Sequence, residues 1–400
     1  VMEELVQRFG KDPKLEQPIH VVDFRTKEAE QSLPLPSIYD VEALNDLKDK
    51  LIRAIEKRAD ICEDLLARNS WDLFLTLFSE SHTANHLLWH LGEDFPVASG
   101  ESQGHAVLEI FQAIDKAIAR VVKHVADNDH VVVYTLDDTA QNTMDVPSMA
   151  LLPELIYRWD NSGKALLAKG DPEHPPPPMR SDYHLHWKHE IWQLTTDAGK
   201  ALLESPSQLE ARGDPMSWNP ANWYKPLWPK MRAFALPSVS DGYIRINVQG
   251  REAAGLVSPD EYSAILDELC ELLENARNPR SGKPLVKKLI RVRKNPFEQE
   301  SIPPDLIVCW DGTDAADALD SVAGLGRIGP LPFFRSGGHM AHGETARNRF
   351  IAFGPDIVPG SRTRDGKLED LPATLLHLLN ASIPHTFTGT SLLESRHLAR

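Results

Sequence analysis

The sequence predicts an α/β protein built on a central, largely parallel sheet with helices on both faces. Three segments carry that expectation. Residues 71–78 (WDLFLTLF) and 130–135 (HVVVYT) are short apolar runs of the kind that form buried strands. Between them, residues 105–126 place apolar and charged positions at helical spacing. Strand, helix and strand in that order argue for a parallel sheet. Ligands of such sheets bind beyond the carboxyl ends of the strands, so the residues after Phe78 and Thr135 draw the closest reading.

The other elements follow in chain order. Residues 41–68 form an amphipathic helix ahead of the first strand. From 160 onward the texture changes to Trp, Pro and polar residues, including the turn or polyproline stretch His174-Pro175-Pro176-Pro177-Pro178. Residues 161–230 therefore read as an insertion or cap, leaving 1–160 and 231–400 as the α/β core. Within the second part of the core, 243–248 and 305–310 are strand candidates and 259–276 is a helix. Phe350 to Phe353 form a further strand, and a helix over 369–380 ends at Asn380 as its C-cap.

Hydrophobic residues make up 42% of the 400, enough for a substantial core. Asp and Glu outnumber Lys and Arg by 58 to 43, a formal charge of −15. Such a surface repels nucleic acid and anionic membranes at long range, which excludes a polyanion-coating role. A small anionic substrate is compatible with it, because a metal ion or an arginine cluster reverses the field inside a cleft. Cys62, Cys270 and Cys309 are odd in number and widely spaced, which fits neither a disulfide framework nor a cysteine zinc site. Free thiols point to a reducing, cytoplasmic setting. No apolar run is long enough to span a bilayer, and Val1 to Gly10 hold no signal-peptide core.

Three constellations could carry chemistry. Ser79-Glu80-Ser81-His82-Thr83-Ala84-Asn85-His86 follows the first strand candidate, and His90 continues the line. On a helix, His82 and His86 share one face a turn apart, which suits a single transition-metal ion; satisfied core histidines give the same spacing. Asp137 and Asp138 follow the second strand candidate, where they suit a cation or, equally, a polar loop or helix cap. Arg335-Ser336-Gly337-Gly338-His339-Met340-Ala341-His342 puts two histidines in a loop whose glycines permit close backbone approach. Gly324-Leu325-Gly326-Arg327-Ile328-Gly329 matches a dinucleotide-binding pattern, but prolines follow where the helix should start, so it is set aside.

In this order the segments resemble the alkaline phosphatase superfamily, within it the phosphohydrolases grouped with type I phosphodiesterases and nucleotide pyrophosphatases. The resemblance rests on Trp71 to His90, on Ala233 to Ser238 with Ile244 to Glu252, and on Pro304 to Val308. It continues through Gly354-Pro355 and Leu371 to Leu376 as far as Gly389-Thr390-Ser391-Leu392. It implies a three-layer sandwich with an inserted cap and two divalent ions, zinc or manganese, at the carboxyl ends of the strands.

One ion would fall to His82, His86 and His339, with histidine where the superfamily has aspartate. The second would fall to Asp137, with Asp138 as the alternative, where the superfamily has an Asp-His pair. Arg245, Arg251 and Arg335 become candidates for contacting a small phosphorylated substrate, since guanidinium forks match phosphate geometry; pairing with the many carboxylates is the other reading. The implied reaction is hydrolysis of a phosphate ester, a diester before a monoester. A sulfatase, a phosphomutase or an inactive binding member of the superfamily is the alternative. The metal-binding Asp and the Thr or Ser nucleophile of the first strand have no counterpart in residues 1–40. Asp23 follows an apolar run, but Phe24 to Lys27 lack the glycine turn, and Thr26 opens no suitable helix. The expectation is that the nucleophile lies before Val1 and that this chain is inactive.

Overall fold

The amphipathic run that starts at Val41 organises the N-terminal half. A computed structural model of the chain describes residues 2–10, 20–22, 29–31, 36–92, 95, 105–136, 138–299, 302–321, 324–339, 348–355 and 357–393. Its helices are α1 (Met2–Phe9), α2 (Val41–Arg68), α3 (Glu80–Leu88), α4 (Ala106–Val122), α5 (Leu152–Asp160) and α6 (Trp187–Gln193). After them come α7 (Asp197–Leu202), α8 (Pro206–Ala211), α9 (Pro220–Trp223), α10 (Tyr262–Glu274) and α11 (Asp370–Leu378). The strands begin with β1 (His20–Val22), β2 (Ala29–Gln31), β3 (Val131–Tyr134), β4 (Thr139–Gln141), β5 (Lys169–Gly170), β6 (Ala233–Leu236) and β7 (Gly242–Ile246). They end with β8 (Ala276–Arg277), β9 (Val286–Arg291), β10 (Leu306–Trp310), β11 (Leu319–Ser321), β12 (Arg327–Ile328), β13 (Gly337–His339) and β14 (Phe350–Phe353).

Helix α2 starts where the Asp40 side chain accepts the Ala43 N–H at 3.0 Å, satisfying one of the free donors of the first turn. Leu44, Leu47, Leu51, Ala54, Ile55, Ala59 and Cys62 form its buried stripe, and α3 and α4 pack against the helix. Burying each leucine of that stripe contributes about 1.5–3 kcal/mol. Glu80, fully buried at the start of α3, accepts from Arg58 of α2 at 2.9 Å. The pair locks the first turn of α3 onto α2, and a carboxylate there also suits the helix dipole.

The protein is mixed α/β, and every strand ladder among the described residues is antiparallel. One four-stranded sheet runs β6-β7-β10-β9 and another runs β5-β12-β11-β8, while β13 pairs with β4 and β14 with β3. A single bridge, Val248 to Val257, is parallel. The expected central parallel sheet is therefore not seen among these residues, and the reason lies in 71–78. That segment belongs to no ladder. Leu73, Leu75 and Leu77 are 50%, 67% and 65% exposed, while Phe74 and Phe78 are half-buried. Trp71 Nε1 donates to the Leu65 carbonyl at 3.0 Å and Cys62 Sγ to Thr76 Oγ1 at 3.4 Å, so the segment is tied to α2 near both of its ends. Without that first strand the crossover unit cannot close, and β3 pairs instead with β14 from far along the chain.

Residues 161–230 are a run of short capped helices. They share the main hydrophobic cluster through Leu166, Trp187, Ile191, Trp223 and Tyr224, and β5 pairs with β12. The glycine pattern at 324–329 leads into strand β12 and no helix, as the prolines require. Helix α11 ends two residues before Asn380, whose φ of +54 is the left-handed conformation expected just past a C-cap. All three cysteines are buried and free. Among the described residues no helix is long and apolar enough to cross a membrane.

Candidate metal centre

Helix α3 does what its spacing requires. His82 and His86, four residues apart, face each other with ring centroids 4.5 Å apart. His339, the last residue of β13, brings its ring to 5.6 Å from His82 and 5.0 Å from His86. One nitrogen from each of the three lies within 4.8 Å of the other two. Zinc–nitrogen bonds of about 2.0–2.1 Å in a tetrahedron set ligand atoms about 3.4 Å apart.

Two glycines allow the approach. A Cβ at Gly337 would sit 1.9 Å from the Asn85 carbonyl oxygen, so only glycine lets β13 lie this close to α3. A Cβ at Gly338 would be 3.1 Å from Asn142 Cα, on the β4 side. The antiparallel register sets Gly337 against Gln141, Gly338 against Ala140 and His339 against Thr139.

The chemistry of His86 is set by its neighbours. Its Nδ1 lies 2.8 Å from the Gly337 carbonyl oxygen, which can only accept, so Nδ1 carries the proton. The lone pair is then on Nε2, which is buried and meets no hydrogen-bond partner. Burial holds the His86 pKa down at about 4, helped by the nearby Arg335 charge and by His82 and His339, while the Gly337 bond opposes the shift. The ring is thus neutral at neutral pH with one lone pair unused, the state a metal ligand needs. His82 is exposed, so the cluster opens to solvent on that side.

The remaining candidates are placed differently. Asp138 stands just before β4, its carboxylate accepts the Thr139 N–H at 3.0 Å, and it is not part of the histidine cluster. Asp137 lies outside the described residues, as do Asp23, Thr26 and His342. Arg335 is near the cluster, but both arms of its fork rest on Asp145 at 2.7 and 2.9 Å. Arg245 donates to Glu252 at 2.7 Å. Arg251 grips the fully buried Asp305 at 2.8 and 2.6 Å and donates to the Ile246 carbonyl at 2.7 Å. The forks of Arg245 and Arg251 are occupied within the fold.

One layer around the cluster has no counterpart in the sequence reading. Ser336, fully buried, donates its N–H to the His86 carbonyl at 3.0 Å, and its hydroxyl lies 2.8 Å from His90 Nδ1. Asn142 joins it, donating its N–H to the Ser336 carbonyl at 2.9 Å and its side-chain amide to Asp145 at 2.7 Å. A serine beside two glycines carries no signal in sequence that it will meet a histidine on another element.

Comparison of the chain with protein-family models, with curated proteins and with solved structures returned no match. The functional reading therefore rests on this geometry and on the segments quoted above.

Proposed function

We propose that this chain carries the metal centre of a phosphate-ester hydrolase, with His82, His86 and His339 as the ligands of one divalent transition-metal ion. The observation that supports it best is the convergence of three histidines from two distant segments, one with its tautomer fixed and its other nitrogen unused. Such a donor set suits zinc or manganese; held by these three histidines, the ion would supply Lewis acidity toward a phosphoryl oxygen. The chain's own residues do the positioning. Gly337 fixes the His86 ring, β13 presents His339, and the exposed edge at His82 admits a substrate. The choice of phosphate ester rests on the resemblance alone. The parallel three-layer sheet is no part of its support, because the described ladders are antiparallel.

A metal-binding role without turnover is the second reading. It is favoured by the commitment of Arg245, Arg251 and Arg335 to carboxylates of the fold, which leaves none of them bare for a phosphoryl group. One experiment addresses both readings. The chain, loaded with Zn²⁺ or Mn²⁺, is analysed for bound metal and assayed with chromogenic phosphate mono- and diesters, alongside His86→Ala and His339→Ala. Stoichiometric metal lost in both variants is the expected result; metal-dependent turnover beside it would support hydrolysis and overturn the expectation of an inactive chain. Bound metal without turnover leaves the second reading standing. Equal metal content in all three proteins removes the centre itself.

A further inference from the structure

We infer that Ser336 and His90 are positioning residues of the histidine centre, holding its two ligand-bearing elements in register from outside the ligand set. The inference rests on the metal reading above and adds the residues that keep the ligands aimed.

The argument starts from the short length of α3. A helix of nine residues ends with its last carbonyls unpaired, and these include the carbonyl of His86. The chain supplies their partner from far away. Ser336 N–H donates to the His86 carbonyl at 3.0 Å, and the Ser336 hydroxyl stands 3.5 Å from the same oxygen. The turn that carries one ligand is thus capped by the residue three positions before another, His339.

The Ser336 side chain is in turn fixed from α3's own extension. Its hydroxyl lies 2.8 Å from His90 Nδ1 and receives the His90 backbone N–H at 3.4 Å. Ser336 and His90 are 0% and 4% exposed, so no water competes for these bonds. The bond from His86 Nδ1 to the Gly337 carbonyl, one residue on, completes a closed circuit. It runs from His86 through its carbonyl to Ser336, along one peptide unit to Gly337, and back to the His86 ring. Rotation of that ring away from the shared point breaks the circuit. Partners of this kind around metal-bound histidines change affinity by about 10–100-fold when removed.

The test uses the whole chain with Co²⁺ as a spectroscopic stand-in for zinc, and Zn²⁺ affinity by competition with a chromophoric chelator. Four proteins are compared: wild type, Ser336→Ala, His90→Phe and His90→Asn, whose amide can reach the place of Nδ1. The expected result is a zinc affinity about 10–100-fold weaker in Ser336→Ala and His90→Phe, with an altered Co²⁺ ligand-field spectrum, and substantial recovery of both in His90→Asn. Loss of packing alone would lower the unfolding temperature without changing the cobalt spectrum of the folded protein. If His90→Phe does not fold, Ser336→Ala, which removes one oxygen and adds no bulk, decides. Wild-type spectra and affinity in the folded variants overturn the positioning role and leave the metal centre intact. A wild-type chain that binds neither ion at the histidines overturns both.

Discussion

Replacing Gly337 with alanine should disable the centre through a single methyl group. The new carbon would lie 1.9 Å from the Asn85 carbonyl oxygen, 2.9 Å from the Asn85 carbonyl carbon and 3.2 Å from Trp89 Cβ. The first two are backbone atoms of α3 and cannot rotate aside. Reaching an ordinary contact of 3.4 Å requires β13 to withdraw from α3 by about 1.5 Å. That movement stretches the 2.8 Å bond from His86 Nδ1 to the Gly337 carbonyl well past hydrogen-bonding distance. It also carries His339 away from a partner set already spread over 4.8 Å, against the roughly 3.4 Å that tetrahedral zinc demands. Zinc affinity should fall by about 10–100-fold, and the metal-free protein should lose about 1–3 kcal/mol of stability. Competition with a chromophoric chelator reads the first, and denaturant unfolding in EDTA reads the second. A variant that unfolds more easily yet binds zinc as tightly as wild type would refute the reasoning, since the α3–β13 gap would then be packing alone.

Three further outcomes follow from the same geometry. Arg251→Ala removes the two-pronged pair with Asp305, which is fully buried and keeps only the Ile246 N–H, the Tyr262 hydroxyl and the more distant Arg293, and should cost about 1.5–3 kcal/mol in denaturant unfolding while leaving zinc affinity unchanged; a stable variant with a raised KM would return Arg251 to the substrate. His90 and His186 are held neutral by burial, with pKa values near 4, whereas unfolded histidine titrates near 6.5. Their contribution is complete above pH 6.5 and is lost as pH falls toward 4, by ~1.4 kcal/mol per unit for each, so urea midpoints should drop over that window and less steeply in His186→Gln. Leu75→Glu, at a site 67% exposed, should change unfolding by no more than about 0.5 kcal/mol and reduce light scattering at high concentration; a loss of several kcal/mol would mean that something covers this side in solution.

Local periodicity carried much of the fold. The stripe from Leu44 to Cys62 and the HxxxH pair of α3 depend on residues within two turns of one another, and both form as read. Residues 71–78 show where that information ends. Their composition is that of a buried strand, but a strand is defined by the chain beside it, and alternating leucines look the same whether covered or bare. The same limit applies to β3, whose apolar run was read correctly as a strand while its partner, β14, and the antiparallel sense came from 216 positions away. At the site, His339 stood out because two glycines flank a ligand-type residue. The sequence also placed His90 in line with His82 and His86, but its contact with Ser336 was not legible, because that contact exists only after α3 and β13 have met. The arginines stayed open to two readings for a related reason: a guanidinium fork suited to phosphate is equally suited to Asp305, and only the tertiary structure shows which oxygen is in reach.

The separation of the ligands along the chain has its own consequence. His86 and His339 are 253 positions apart in sequence and meet only when the chain is folded. An ion shared by them would act as a reversible staple across most of the polypeptide. A permanent cross-link of that span would remove about 5 kcal/mol of conformational freedom from the unfolded chain. A metal staple gives instead a benefit set by supply, about 4 kcal/mol when free metal stands a thousandfold above its dissociation constant and almost nothing when it is scarce. The lifetime of the folded protein would then follow the metal content of its surroundings, and a chelator would shorten it without touching a single covalent bond.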